Sequence, residues 1–157
     1  MRARLLLGPA DAGRELTLEE YLDAARVEGY HYELIEGRLE ASPEAGFPHT
    51  FLRHWLLELL SAYARARPEV IRHAYLVGRV RVPAATERPT VPEPDLIAFR
   101  DYPADRSLDQ LDWRDVLPLL VGEVVSADTA DKDLLRNRRL YLQVPSIREY
   151  WIVDTRE

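Results

Sequence analysis

Two acidic residues stand in apolar, strand-like settings. Asp95 lies in the run Val91-Pro92-Glu93-Pro94-Asp95-Leu96-Ile97-Ala98-Phe99, and Glu123 in Leu119-Leu120-Val121-Gly122-Glu123-Val124-Val125-Ser126. Such runs read as buried strands. A buried carboxylate without a partner is costly, and a hard divalent cation, Mg2+ or Mn2+, is a partner that carboxylate oxygens hold well. An ion there would put positive charge beside a scissile phosphate and acidify a bound water, the two needs of phosphodiester hydrolysis. The two acids are 28 positions apart (123 − 95). If their strands are neighbours, both carboxylates reach one ion, and the main-chain carbonyl of Val124 could join them. Two plainer readings stay open beside this one: Asp95 capping the amides of its own turn, and Glu123 paired with an arginine.

Positioning these acids requires strands, and the chain supplies strand and helix signals in turn. Thr17-Leu18-Glu19-Glu20 has the capping-box pattern, and Tyr21, Leu22 and Ala25 extend a short helix to near Gly29. His31 to Glu40 reads as a hairpin turning at Glu36-Gly37. Ser42 to Pro48 reads as a loop. From His49 to Ala66 the apolar residues Phe51, Leu52, Trp55, Leu56, Leu59, Leu60 and Tyr63 recur at helical spacing, and Pro68 ends the helix. Val70 to Val82 alternates in part and predicts one or two strands. A polar loop follows from Pro83 to Pro92, then a strand from Asp95 to Phe99. Asp101 to Val116 is a polar excursion with room for a short helix. Leu117 to Ser126 predicts a central strand covered on both sides. Asp131 to Leu142 is a charged helix with Leu134, Leu135, Leu140 and Tyr141 as a partial apolar face, and Glu149 to Asp154 is a last strand. No repeat or linker interrupts this order, so residues 1–157 are expected to form one domain. The class expected is α/β (α+β), a mixed sheet flanked by helices.

Composition narrows the function classes. A length of 157 residues with 46% hydrophobic and 31% charged residues suits one soluble globular domain. No run approaches the ~18 apolar residues of a membrane span, and the apolar stretch near Met1 is too short for a signal-peptide core of ~7–15 residues. Cysteine is absent, which excludes disulfides and thiolate metal sites and makes a cytoplasmic location the default. A net charge of −6 argues against nucleic-acid binding by bulk electrostatics, though an acidic metal cleft is compatible with it. Lys132 is the single lysine. The seven glycines form no Walker or Rossmann loop; no Gly-x-Ser-x-Gly elbow occurs, and no His-x-x-x-His pair suggests zinc.

Four short segments occur in order: Tyr32-Glu33-Leu34-Ile35-Glu36-Gly37, Pro94-Asp95-Leu96, Gly122-Glu123-Val124-Val125-Ser126 and Glu149-Tyr150-Trp151-Ile152-Val153-Asp154. Together, from about Leu16 to Asp154, they resemble the Uma-two (Uma2) family, which is placed in the PD-(D/E)XK nuclease superfamily. The resemblance implies a restriction-endonuclease-like mixed central sheet flanked by helices, and Mg2+-dependent (or Mn2+-dependent) endonuclease cleavage of DNA. By that match Asp95 is the motif aspartate and Glu123 the motif glutamate, the pair expected to hold the metal. Glu33 and His49 match positions near the cleft. The superfamily pattern puts lysine at position 125, where this chain has Val125. The family moves it to four residues before a tyrosine, and counting back from Tyr141 reaches Asn137, which is neutral. Arg136, Arg138 or Lys132 could substitute. Arginine is a poor proton acceptor but can stabilise charge on a phosphate. The catalytic set expected is therefore Asp95, Glu123, Lys132 and Glu33, with Arg136, Arg138 and His49 toward nucleic acid. The alternative is a weakened or inactive nuclease fold that binds nucleic acid or a protein partner. Family members continue into a further hairpin, whereas this chain ends at Glu157; an open edge strand would favour a homodimer.

Plainer readings apply to the neighbouring residues. His49 reads as an N-terminal helix residue, His54 as a helix-surface residue and His73 as a strand-face residue. Ser126 to Thr129 reads as a cap for the next helix, through Asp128 or Thr129, with a phosphate-contacting loop as the alternative. The run Arg136-Asn137-Arg138-Arg139 reads as a solvated helix face. Trp55 and Trp151 read as core aromatics.

Overall fold

Leu96–Phe99 and Leu120–Val125 are buried at every position, so each needs cover on both faces. The chain provides it by making them the two inner strands of a four-stranded sheet. The computed structural model describes residues 4–83, 87–103, 105–127 and 129–156. In chain order the elements are β1 (Leu6–Leu7), α1 (Leu18–Asp23), β2 (Ala25–Arg26), β3 (Tyr30–Ile35), β4 (Arg38–Pro43), α2 (Phe47–Ala66), β5 (His73–Leu76), β6 (Leu96–Phe99) and β7 (Leu120–Val125). A π-helical turn, Lys132–Asn137, then runs into α3 (Arg138–Tyr141), and β8 (Glu149–Asp154) follows.

The main sheet has the order β5-β6-β7-β8. The first two pairings are antiparallel; β7 and β8 are parallel, with the π turn and α3 forming the crossover. Side chains alternate across it as the period of two requires. Leu96, Ala98, Leu120 and Val124 pack against Leu56, Leu60 and Ala64 of α2. Ile97 and Val121 face the other way, into a core with Val80, Val82, Tyr141 and Val144. The hairpin β3–β4 turns at Glu36 (φ 49°) and Gly37 (φ 77°), the left-handed pair that a tight hairpin turn needs. Its core is separate, with Leu7, Leu16, Tyr21, Tyr32, Leu34, Leu39 and Val91. Reciprocal bonds between Leu34 and Val91, at 3.1 and 2.6 Å, tie the hairpin to the segment leading into β6.

Several boundaries differ from expectation. The helix expected to reach Gly29 ends at Asp23, because Ala25–Arg26 pairs in parallel with Leu6–Leu7. Of the stretch from Val70 to Val82, only His73–Leu76 is a strand. Beyond it Val77 turns to φ 60°, and Pro92 and Pro94 have no N–H to return a ladder bond. The Val77, Gly78 and Val80 amides still donate, to the carbonyls of Asp95, Pro94 and Pro92. The loop from Ser42 to Pro48 shrinks, since β4 runs to Pro43 and α2 starts at Phe47. The strand from Leu117 to Ser126 narrows to Leu120–Val125. The polar excursion holds two 3-10 turns, Leu108–Gln110 and Trp113–Asp115.

Trp55 is not a core residue. It is 48% exposed, on a ridge with Phe47, Phe51, Leu59 and Tyr63, all at least 44% exposed. The buried side of α2 is instead Arg53, Leu56, Leu60 and Ala64. Trp151 does pack against the α2 core. Among the described residues no helix is long and apolar enough to cross a membrane.

Candidate active site

The β6–β7 ladder pairs Leu96 with Gly122. One step further the same register sets Asp95 opposite Glu123, and directly opposed residues point to one face. Each acid then holds the other's strand. The Asp95 amide donates to Glu123 Oε2 at 3.1 Å, and the Val124 amide donates to Asp95 Oδ2 at 2.9 Å. Asp95 therefore caps an amide across the sheet rather than in its own turn. Among the described residues no arginine hydrogen-bonds Glu123; Asn137 Nδ2 donates to its Oε1 at 3.0 Å and the Tyr141 hydroxyl at 2.9 Å. The arginine belongs to Asp95 instead, with Arg53 Nε 3.5 Å from Oδ1, while His49 Nε2 is 3.0 Å from Oδ2. His49 thus sits near the start of α2, as its plain reading has it, and also reaches the acid pair.

Glu33 arrives from the hairpin. The Leu34–Val91 bridge brings β3 alongside the approach to β6, where Glu33 Oε1 accepts from the Glu93 amide at 3.2 Å. Its Oε2 meets Lys132 Nζ at 3.1 Å and Arg136 Nη2 at 2.9 Å. Arg136 also binds Glu40, so it clamps the hairpin to the π turn rather than lying on a solvated face. Arg138 is exposed and lies outside this network. Behind Glu33, buried Glu93 is held by Arg26, by Arg79 at 3.1 Å and by the Tyr21 hydroxyl at 3.0 Å.

The helix after β7 was expected to bury leucines. Tyr141 is buried as expected, but the other buried positions are Asp133 and Asn137, while Leu135 is 57% exposed. Asn137 bridges the carboxylates, donating also toward Asp133 Oδ1 at 3.3 Å, and the Tyr150 hydroxyl donates to the Asp133 carbonyl from β8. The i, i+4, i+8 spacing of these polar residues was available in the sequence. The wider π turn that carries Lys132 and Asp133 is a feature often met at functional sites. Before it, Thr129 accepts from the Ser126 amide at 3.1 Å, while Asp128 lies outside the described residues. Arg53 is the second residue that sequence reasoning missed. Its signal was a charge at a buried position of the α2 repeat.

Charge in the site is uneven. Burial raises the Glu123 carboxyl well above its ordinary value, and the charges of Asp95 and Asp133 add to the rise against the pull of Lys132. Burial also pushes Asp95 up, but the His49 hydrogen bond and charge, the Val124 amide and Arg53 outweigh it and hold Asp95 below its usual range. The metal-free pair thus favours one proton, on Glu123. Asp133 is raised, chiefly by burial. Burial pulls Lys132 down, but Glu33, Glu123 and Asp133 reverse this and keep it charged. Tyr141 is raised strongly by burial and by Glu123, so its hydroxyl keeps the proton it donates.

A divalent ion suits this donor set. Two carboxylates share one face, and their mutual repulsion is a charge that such an ion would relieve. Among the described residues no three acids or histidines form a cage. The arrangement therefore fits Mg2+ or Mn2+, which take one or two carboxylates and keep several waters, better than a site that needs four protein ligands. Asp95 and Glu123 would hold the ion.

A model of the Uma2 family, described as "Putative restriction endonuclease", matches residues 18–157. A crystal structure from Anabaena variabilis ATCC 29413, titled "a putative nuclease belonging to DUF820", superposes with a TM-score of 0.65. It is 18% identical, over 88% of this chain and 74% of that one, a likeness in fold. The restriction-endonuclease-like mixed α/β architecture expected from the sequence is the one found. No curated protein matches the chain.

Proposed function

This chain belongs to the Uma2 family, and we propose that it is a metal-dependent endonuclease acting on DNA, with Asp95 and Glu123 as its Mg2+ or Mn2+ ligands. One observation carries the reading: two buried carboxylates lie opposite each other on adjacent strands, each fixed by the other's backbone. When bound, the ion supplies positive charge at the phosphodiester and an acidified water. The chain's own residues position and neutralise. Tyr141 and Asn137 fix Oε1 of Glu123, and the Asp95 amide fixes Oε2, so this carboxyl group is already oriented and gives up its proton when a cation binds. Glu33 holds Lys132 at the rim of the site. Because Lys132 stays charged, its role here is to stabilise negative charge on the phosphate, not to take a proton. Arg138, exposed beyond the network, is suited to the DNA backbone, whereas Arg136 is engaged by Glu33, Glu40 and Asn137.

A second reading has its own support. Val125 and Asn137 stand where a lysine is expected, so the fold could bind nucleic acid or a protein with little or no cleavage. Nicking of supercoiled plasmid in Mn2+ separates the two. The nuclease reading expects product from the wild type and at least about 100-fold less from Asp95→Asn and Glu123→Gln; wild-type activity no higher than that of the variants favours the second reading. We also propose a homodimer, supported by β8, which has one neighbour in the sheet, and by the exposed ridge on α2. Sedimentation as a monomer at every concentration counts against it.

A further inference from the structure

Six charged side chains are buried in this chain: Glu33, Glu93, Asp95, Glu123 and Asp133 are acids, and Arg53 is the one base among the described residues. The other cations near the site each make a close ion pair with a carboxylate, although Nε and Nη2 of Arg26 are also sealed without a hydrogen bond. Arg26 and Arg79 share Glu93, while Lys132 and Arg136 share Glu33. Arg53 is different. It is 9% exposed, yet its nearest acceptor is Asp95 Oδ1 at 3.5 Å from Nε. That contact is not a hydrogen bond, and Nε is sealed from solvent without one. Neither terminal nitrogen donates to an acceptor among the described residues. Asp95 is already served by His49 at 3.0 Å and by the Val124 amide at 2.9 Å.

A guanidinium has five N–H donors in a fixed fork, matched to the oxygens of a carboxylate or phosphate. Sealing its Nε from water without a hydrogen bond is costly. If Arg53 were only a counter-ion for Asp95, a closer, two-pronged approach would be expected. Its place on α2 is also constrained. It occupies a position in the buried series of Leu56, Leu60 and Ala64, where an apolar residue would pack without cost to the core. The unsatisfied donors lie beside the acid pair.

We propose that Arg53 is a substrate-binding residue that takes a phosphodiester oxygen of DNA next to Asp95 and Glu123. It supplies from α2 the positive charge that Val125 and Asn137 leave out of β7 and the following helix. The inference rests on the nuclease reading for its substrate class.

The test is fluorescence anisotropy of a labelled duplex DNA in Ca2+, at several salt concentrations, with wild type, Arg53→Gln and Arg53→Lys. Isothermal titration with Mn2+ accompanies each protein. Arg53→Gln is expected to bind DNA about tenfold or more weakly, and its slope of log K against log salt should fall by about 0.9, one phosphate contact. Arg53→Lys should restore the slope, having the same charge, and Mn2+ should still bind all three. An unchanged slope and affinity in Arg53→Gln overturn the inference and assign Arg53 to Asp95 alone. Wild type that does not bind DNA overturns it as well. If Arg53→Gln does not fold, Arg53→Leu, which suits the apolar series of Leu56 and Leu60, takes its place in the same assay: a slope lower by about 0.9 supports the contact, and an unchanged slope and affinity overturn it. The two readings can fail separately. A slope that falls in Arg53→Gln supports the contact even where the wild type cleaves nothing. Cleavage by a wild type whose slope does not depend on Arg53 leaves the nuclease reading alone standing.

Discussion

Replacing Asn137 by lysine would return a cation to the place where the family carries one. Asn137 is fully buried, with Nδ2 3.0 Å from Glu123 Oε1 and 3.3 Å from Asp133 Oδ1. A lysine ammonium near that point would gain about 5 kcal/mol from one ionised carboxylate at an effective dielectric of ~20, and Glu123 gives up its proton only at a cost set by burial and Asp95. Against this stand several kcal/mol for desolvating the ammonium and about 1–3 kcal/mol for fitting a longer side chain. The terms nearly cancel, so Asn137→Lys should fold with stability close to wild type. Its effect on chemistry should be larger. A cation between Glu123 and Asp133 opposes the burial and like-charge repulsion that keep Glu123 protonated. It also adds positive charge beside the attacking water and the phosphate. Such groups contribute on the order of 100-fold or more. Plasmid nicking in Mn2+ is expected to rise by about that factor, with thermal unfolding as the folding control. A folded Asn137→Lys protein that binds Mn2+ and cleaves no faster than wild type would refute the argument that the missing charge limits activity.

Lys132→Met is expected to lower cleavage about 100-fold with Mn2+ affinity largely kept, and Lys132→Arg to retain much of the rate; equal loss in both variants would exclude a role for charge alone. Because Glu123 is raised above the ordinary 4.5 when folded, the native state holds a proton that the unfolded chain has lost. Metal-free stability should therefore be fully present below about pH 4.5 and fall as pH rises toward the folded value, by up to about 1.4 kcal/mol per pH unit for one proton. Glu123→Gln should flatten that slope in denaturant titrations, leaving the smaller share due to Asp133, and an unchanged slope would mean Glu123 is ionised in the apo fold. A Cβ added at Gly78 would lie 2.7 Å from Ile97 Cγ2, so Gly78→Ala should cost about 1–3 kcal/mol, and adding Ile97→Val should recover part of the lost melting temperature.

Residues whose signals are local were the most legible in the sequence. The capping box at Thr17 and Glu20 and the turn at Glu36-Gly37 set α1's start and the hairpin as read. The all-apolar runs around Asp95 and Glu123 marked the inner strands, and their register then brings the two acids together. What failed depended on contacts distant in sequence. Nothing local ends α1 at Asp23; its partner is Leu6–Leu7. Apolar spacing placed Trp55 on the core side of α2, but the sheet covers a narrower face than the apolar residues occupy. The same spacing argument passed over Arg53. The helix after β7 departed most clearly: Tyr141 is buried as its apolar face requires, but Asp133 and Asn137 are buried in place of the leucines, Asn137 because Glu123 needs donors.

The most direct test of the paired-carboxylate site is isothermal titration with Mn2+, wild type beside the double variant Asp95→Ala/Glu123→Ala, with circular dichroism to establish that both are folded. The account predicts saturable binding near one ion per chain by the wild type and none by the variant. Equal binding by both, or none by either, would contradict it.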